Sequence, residues 1–320
     1  MSHIVTVTSI CQRALSAEQL PTDDDDDDAM TDPEDILSES LQTLYEYVPT
    51  TRSSAGSIFR YLIPDRLANQ GNTIPIEPSH RSSRITLETP DTQPANWSLH
   101  ASSIWVSSLF VADHLDDLHL PHYIEASSRR GERLRVLELG AGAGLPGICI
   151  AKIYEGVSII SSDYPDADLI DTLASNIQRN GVTDRCRAVA YAWGSDASIL
   201  SEAGCDSHSE QPRKFDVVLA ADTLWNPELH GPFIETLRLT LRDTADARIY
   251  LVAGLHTGRY TIQAFLKSVS EAGFDIEEAT ERQVTDGDSC RPWTIERAEG
   301  EDEMERRRWV IWMVLRWKRL

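Results

Sequence analysis

The 320-residue sequence predicts an α/β protein: a seven-stranded, mostly parallel sheet with its last strand antiparallel, helices on both faces, and an N-terminal extension. From Leu134 onward, short β-branched runs alternate with amphipathic stretches, the pattern of βαβ units. The run "LELGAGAGLPG" sets a strand, a glycine-rich turn and a helix start in succession. At the C-terminus, "FDIEEATE" and "RRWVIWMVLRW" are joined by a stretch without helical periodicity, so the two are expected to pair antiparallel.

Residues 1–33 read as a disordered acidic tail, because the run Asp23 to Asp28 repels itself and offers nothing to bury. Residues 34–130 read as an N-terminal extension whose helices pack on the core. After Asp32-Pro33, the residues Ile36, Leu37, Leu41, Leu44, Tyr45 and Val48 share one helical face. The stretch 50–94 is an irregular lead-in with one strand-like alternation, "RITLET", and "SSIWVSSLFVADHLDDL" then reads as a helix beside the core. The domain proper is expected over 131–320. Its strands are "LRVLEL", "VSIISS", "CRAVAYAW", "FDVVLAA", "RIYLVAG", "FDIEEATE" and "RRWVIWMVLRW". Between them, "LPGICIAKIY", "DADLIDTLASNIQRN", "PELHGPFIETLRLTLR" and "RYTIQAFLKSVSEAG" are helical, with Gly181 and Gly273 as helix ends because glycine enters the left-handed region cheaply. The final strand is apolar on both faces and is expected inside the sheet.

A net charge of -21 repels nucleic-acid phosphates and anionic lipid, so neither is expected as a partner, while a basic partner is admissible. No apolar run reaches the length of a membrane span and the N-terminus lacks a signal-peptide pattern, which points to the cytoplasm, with the nucleus also admitted. Five cysteines without a C-x-x-C pair suggest neither a disulfide framework nor a zinc ribbon. The group Asp113, His114, Asp116, His119 and His122 has no metal-ligand spacing and reads as helix surface.

Strand, glycine turn and helix start form a site for a polar cofactor, since the first amides of a helix lack partners. Gly140, Gly142 and Gly144 provide the tight turn and close approach, and Pro146 fits the first helical turn. Gly142, Gly144 and Gly147 also spell G-x-G-x-x-G, which suggests a dinucleotide. Against that stands Glu138 at the strand tip, where a pyrophosphate would meet a carboxylate. S-adenosylmethionine has no phosphate and carries a sulfonium and an amino group, so it tolerates that acid. Asp163, about 20 residues past the turn, has the spacing of a ribose ligand. Asp166 is the better helix cap, which frees Asp163. Trp193 closes the third strand, where it either lies along an adenine edge or packs in the core.

These residues resemble class I S-adenosylmethionine-dependent methyltransferases of the family-16, lysine-methyltransferase-like type, with the fungal nicotinamide N-methyltransferase-like and elongation-factor N-methyltransferase branch nearest. The resemblance rests on "IWVSSLFVADHL", "LELGAGAGLPG", "SSDYPDADLI", "YAWG" and "ADTLWNPELHGPFIETL" and spans residues 97–320. It implies a Rossmann-like methyltransferase sheet. It makes Trp105 a wall of the cofactor site, Gly140 and Gly142 its cradle, Asp163 the ribose ligand, Trp193 an adenine neighbour and Ala221 a contact after the fourth strand. Glu138 and Gly144 complete the cofactor set, while Asp222 and Trp225 face the acceptor. The chain departs from the family in having Trp105-Val106-Ser107 for the usual Trp-Asn-Ala or Trp-Asp-Ala, and Trp225 where tyrosine or phenylalanine is commoner. The implied acceptor is a lysine or N-terminal amine of a protein, a translation factor among the candidates, methylated by a monomer without a metal. A small nicotinamide-like amine, a non-catalytic cofactor-binding scaffold and a nicotinamide-dependent oxidoreductase stand as alternatives.

Overall fold

The computed structural model of the chain describes residues 48–68, 84–203, 213–285 and 289–319. The expected acidic tail and the helical face from Ile36 to Tyr45 lie outside the described residues. A two-stranded hairpin, β1 (Ile58–Leu62) and β2 (Arg84–Glu88), precedes a large sheet. That sheet contains β3 (Leu134–Leu139), β4 (Val157–Asp163), β5 (Cys186–Ala190), β6 (Val217–Ala221), β7 (Arg248–Gly254), β8 (Phe274–Gln283), β9 (Cys290–Pro292) and β10 (Trp309–Trp317), in the order β5-β4-β3-β6-β7-β10-β8-β9.

All seven expected strands are present, and β10 enters between β7 and β8, antiparallel to both. The sheet has eight strands where the sequence predicts seven. The addition, β9, pairs with Thr280–Arg282 of β8 and lies in the stretch read only as a connection without helical periodicity. Three residues are too few to show alternation, so only their pairing makes them a strand. A second local difference is that "CRAVAYAW" leaves the sheet at Ala190, so Trp193 stands beyond the strand.

Among the described residues, six helices of eight residues or more cover the sheet: α1 (Val106–Asp113), α2 (Leu120–Ser128), α3 (Leu145–Ile153), α4 (Ala167–Arg179), α5 (His230–Thr240) and α6 (Arg259–Glu271). The period-2 alternation of the strands divides the interior into two cores. Val136, Leu219, Val252 and Trp312 pack with Phe110, Ile148 and Leu173 of α1, α3 and α4. Leu137, Val218, Leu251 and Met313 pack with Phe233, Leu237 and Phe265 of α5 and α6. Each such side chain contributes roughly 1.5–3 kcal/mol when fully buried.

Within the extension, "RITLET" forms β2, and its partner β1 comes from sequence without visible alternation. The hairpin is joined to α4 by two asparagines. Asn176 accepts from the Glu88 N–H at 2.8 Å and donates to the carbonyls of Glu88 (2.8 Å) and Ala143 (3.0 Å). Asn180 accepts from the Thr86 amide and donates to its carbonyl. One side chain of α4 and one just past its end thereby supply the bonds a third strand would make, which satisfies buried backbone groups.

At the far end of the sheet, Arg259 is 1 % exposed and donates to Glu281 and Glu301, which are 0 % and 5 % exposed. Arg291 and Arg297 also donate to Glu281. This cluster fastens the 289–308 stretch to the N-terminus of α6.

Candidate functional site

In an open α/β sheet, the crevice lies beyond the carboxyl ends of the strands, where neighbouring connections run to opposite faces. That point falls between β3 and β6, which are adjacent in the sheet and distant in sequence. A cavity of about 200 Å³ opens there. Its floor comes from the turn after β3 (Gly140, Ala141, Gly142, Ala143), and its sides from Asp163 and Tyr164 after β4 and Tyr191 and Trp193 after β5. Ala221, Asp222, Thr223 and Trp225 follow β6, and residues from Leu99 to Trp105 form the mouth.

The glycine turn is held by the chain's own groups. The Gly142 N–H donates to Asp163 Oδ2 at 2.6 Å, and the Gly147 N–H donates to Glu138 Oε1 at 3.2 Å. The Ala141 and Gly144 amides donate to the carbonyls of Ser162 and Ala141. Gly140 and Gly142 have φ of 68° and 54°, left-handed values that favour glycine. A Cβ at Gly140 would also come within 2.8 Å of Thr223.

Eight of the ten expected site residues line this cavity: Trp105, Gly140, Gly142, Asp163, Trp193, Ala221, Asp222 and Trp225. The other two, Glu138 and Gly144, stand behind the turn and do not line it. Glu138 is buried, accepts from Ser161 Oγ at 2.6 Å, and has its carboxyl pushed up to about 7 by removal from water. Gly144, at φ 86°, precedes α3, where a Cβ would meet Leu173 at 2.6 Å.

Asp163 accepts a second bond from the Tyr164 N–H at 2.7 Å, and burial pushes its carboxyl up to about 6. Asp166 caps α4 by accepting from the Leu169 N–H. Trp193 lines the cavity and also packs on Phe233 with centroids 4.7 Å apart.

Asp222 has an unusual conformation for a residue with a side chain, φ 55°. One carboxylate oxygen accepts from the Gly254 N–H at 2.7 Å, while the other is buried without a hydrogen-bond partner. Asn226 accepts from the Glu228 N–H and starts the next helical turn, so Asp222 is not used as a cap. His230 is buried and its Nε2 lies 2.9 Å from the Leu224 carbonyl.

Beside Asp222 runs an aromatic wall. Trp105 stacks on His256 at 5.4 Å, and His100 stands edge-on to Trp105 at 6.1 Å and to Trp225 at 4.9 Å. The sequence reading missed His100, Tyr191 and Thr223. "SLHASS" around His100 matches no motif, and only the approach of the extension to the sheet brings it to the cavity.

The family model described as "Lysine methyltransferase" matches residues 93–272. "Protein N-terminal and lysine N-methyltransferase efm7" of Schizosaccharomyces pombe is 31% identical over 193 residues, covering 59% of this chain and 70% of that protein. The protein of the same description from Gibberella zeae is 27% identical over 213 residues, covering 62% and 74%. "Protein-lysine N-methyltransferase EFM2" of Saccharomyces cerevisiae is 29% identical over 204 residues, covering 61% of this chain and 43% of that protein.

Proposed function

The chain belongs to the lysine methyltransferase family, and from that premise we propose that its cavity holds S-adenosylmethionine and serves methyl transfer to a lysine or N-terminal amine of a protein. The observation that carries the cofactor reading is the state of the glycine turn. Its amides at Ala141, Gly142, Gly144 and Gly147 already donate to the chain's own oxygens. Among the described residues, no lysine or arginine lines the cavity, while Asp163 and Asp222 do. A pyrophosphate would find four of the turn's amides already taken and no lysine or arginine to balance its charge. An unphosphorylated, cationic cofactor suits the same groups.

Asp163 has about four lone-pair sites, two of them used by amides, which leaves capacity for ribose hydroxyls. Trp193 offers a face or edge to the adenine, Gly140 and Gly142 allow close backbone approach, and Trp105 and Ala221 wall the site. Glu138 and Gly144 act from behind, holding the turn in shape. When bound, S-adenosylmethionine supplies a methyl group on a positively charged sulfur.

The chain's task is then to present a neutral amine. A lysine with a pKa of about 10.4 is neutral in roughly one molecule in 2,500 at pH 7, a penalty of about 4.6 kcal/mol. An N-terminal amine faces only about 1 kcal/mol. Removal from water and a nearby cation both reduce the penalty. The free oxygen of Asp222 would receive the amine, and the Trp225 indole would pack on its methylenes. The acceptor proposed for first test is a translation factor, acted on by a monomer in the cytoplasm, with the nucleus as a second compartment.

The test incubates the purified chain and its Asp163→Ala variant with methyl-labelled S-adenosylmethionine and desalted eukaryotic lysate. Label in a discrete protein band, absent with the variant, is expected. Label only in small molecules, or none despite cofactor binding, would overturn the protein-acceptor reading.

A further inference from the structure

Three non-glycine residues among those described have positive φ: His100 (54°), His119 (51°) and Asp222 (55°). His119 joins two helical segments away from the cavity. His100 and Asp222 both line it. Such backbone is unfavourable for a residue with a side chain and persists only where the surroundings impose it.

At His100 the surroundings are on hand. Its N–H donates to the Trp97 carbonyl at 3.1 Å and its own carbonyl accepts from Trp105 Nε1 at 2.7 Å. Its ring, edge-on to Trp105 and Trp225, is thus held at the mouth on the acceptor side. We propose that His100 is a catalytic base: it takes one proton from the acceptor's ammonium group and passes it to water. The proposal rests on the amine-methylating reading above and names the residue that makes the amine reactive.

In the step, an N–H bond of the alkylammonium breaks and its proton goes to a ring nitrogen of His100. The freed lone pair forms the new C–N bond as the methyl group leaves the sulfonium with its C–S bond broken. The imidazolium at the exposed mouth then releases its proton to solvent. The other ionisable groups lining the cavity suit this less well. Asp163 is tied to two amides, and the Tyr191 hydroxyl donates to the Ser195 carbonyl. The free oxygen of Asp222 is buried, suited to holding an ammonium but without a route for releasing the proton.

Two variants keep the backbone while removing the base, because asparagine and glycine both accept the left-handed region. With the labelled lysate protein as acceptor, wild-type kcat/KM is expected to fall with acid and to level off below the acceptor's own pKa. In His100→Asn the level region should vanish, kcat/KM rising about tenfold per pH unit toward the acceptor's pKa, with a loss of roughly 100-fold at neutral pH. Added imidazole should restore His100→Gly at least about tenfold and leave His100→Asn unchanged. Calorimetry with S-adenosylhomocysteine checks folding independently of turnover, and both variants are expected to bind it. A His100→Asn profile parallel to that of wild type, or no rescue of His100→Gly, overturns the proposal while methyl transfer stands. Failure of a cofactor-bound wild-type chain to methylate any amine overturns the reading beneath it and this proposal together.

Discussion

Replacing Glu138 by glutamine should stabilise the protein at alkaline pH, and the gain should shrink as the pH falls. Glu138 is 3 % exposed and lies behind the glycine turn, with hydrogen bonds from Ser161 and Gly147 but no cation as partner. Burial, the largest effect, raises its carboxyl from 4.5 to about 7. A raised acid holds its proton more tightly when folded than when unfolded. Its contribution is therefore fully present below the unfolded value and is lost as the pH rises through the folded value. Between pH 8 and pH 5.5 these two values give a change of about 2 kcal/mol in favour of the wild type. Glutamine keeps an acceptor for Gly147 and a donor for the Ser161 hydroxyl while removing the titration. Thermal unfolding of both proteins across this range should show the advantage of the variant shrinking by roughly 4–8 °C toward pH 5.5. A difference in Tm that does not change with pH would refute the reasoning, because it would mean that Glu138 does not titrate with folding in this window.

Asp163→Ala should weaken S-adenosylmethionine binding by roughly 10- to 100-fold, the worth of a hydrogen bond to a charged group, as measured by calorimetry. Retained affinity would remove Asp163 from the ribose role. Asp222→Asn keeps a residue that tolerates φ near 55° and an acceptor for Gly254. It should lower kcat/KM by roughly 10- to 100-fold with cofactor affinity held, and a matching fall in affinity would shift the role of Asp222 to the cofactor side. Arg259→Ala leaves Glu281 and Glu301 buried without their central cation, at a cost of about 3–5 kcal/mol in unfolding measurements. A loss below about 1 kcal/mol would show that Arg291 and Arg297 suffice.

Much of this molecule is legible in the sequence because its elements are long and periodic. The alternation of Trp309 to Leu315, apolar on both faces, marks a central strand, and the structure buries it between β7 and β8. The helix cap at Asp166 and the helix ends at Gly181 and Gly273, with φ of 68° and 98°, follow from local backbone chemistry and stand where expected. The candidate site was partly legible for the same reason. Gly140, Gly142, Asp163 and Ala221 sit at strand ends, which chain order along a βαβ sheet brings together, and Asp222 and Trp225 follow directly.

What the sequence by itself determined is the succession of elements, the antiparallel direction of the last strand and the strand, glycine turn and helix start, since each is written in local periodicity, in turn residues or in the lack of a helix between two strands. Tertiary structure alone decided that Glu138 turns away from the cavity into the core and that β9 pairs at the edge. It also decided that Asn176 binds the N-terminal hairpin and that His100 meets Trp105 and Trp225 at the mouth. These contacts join residues far apart in the chain or depend on which way one side chain turns, and neither periodicity nor local propensity carries that information.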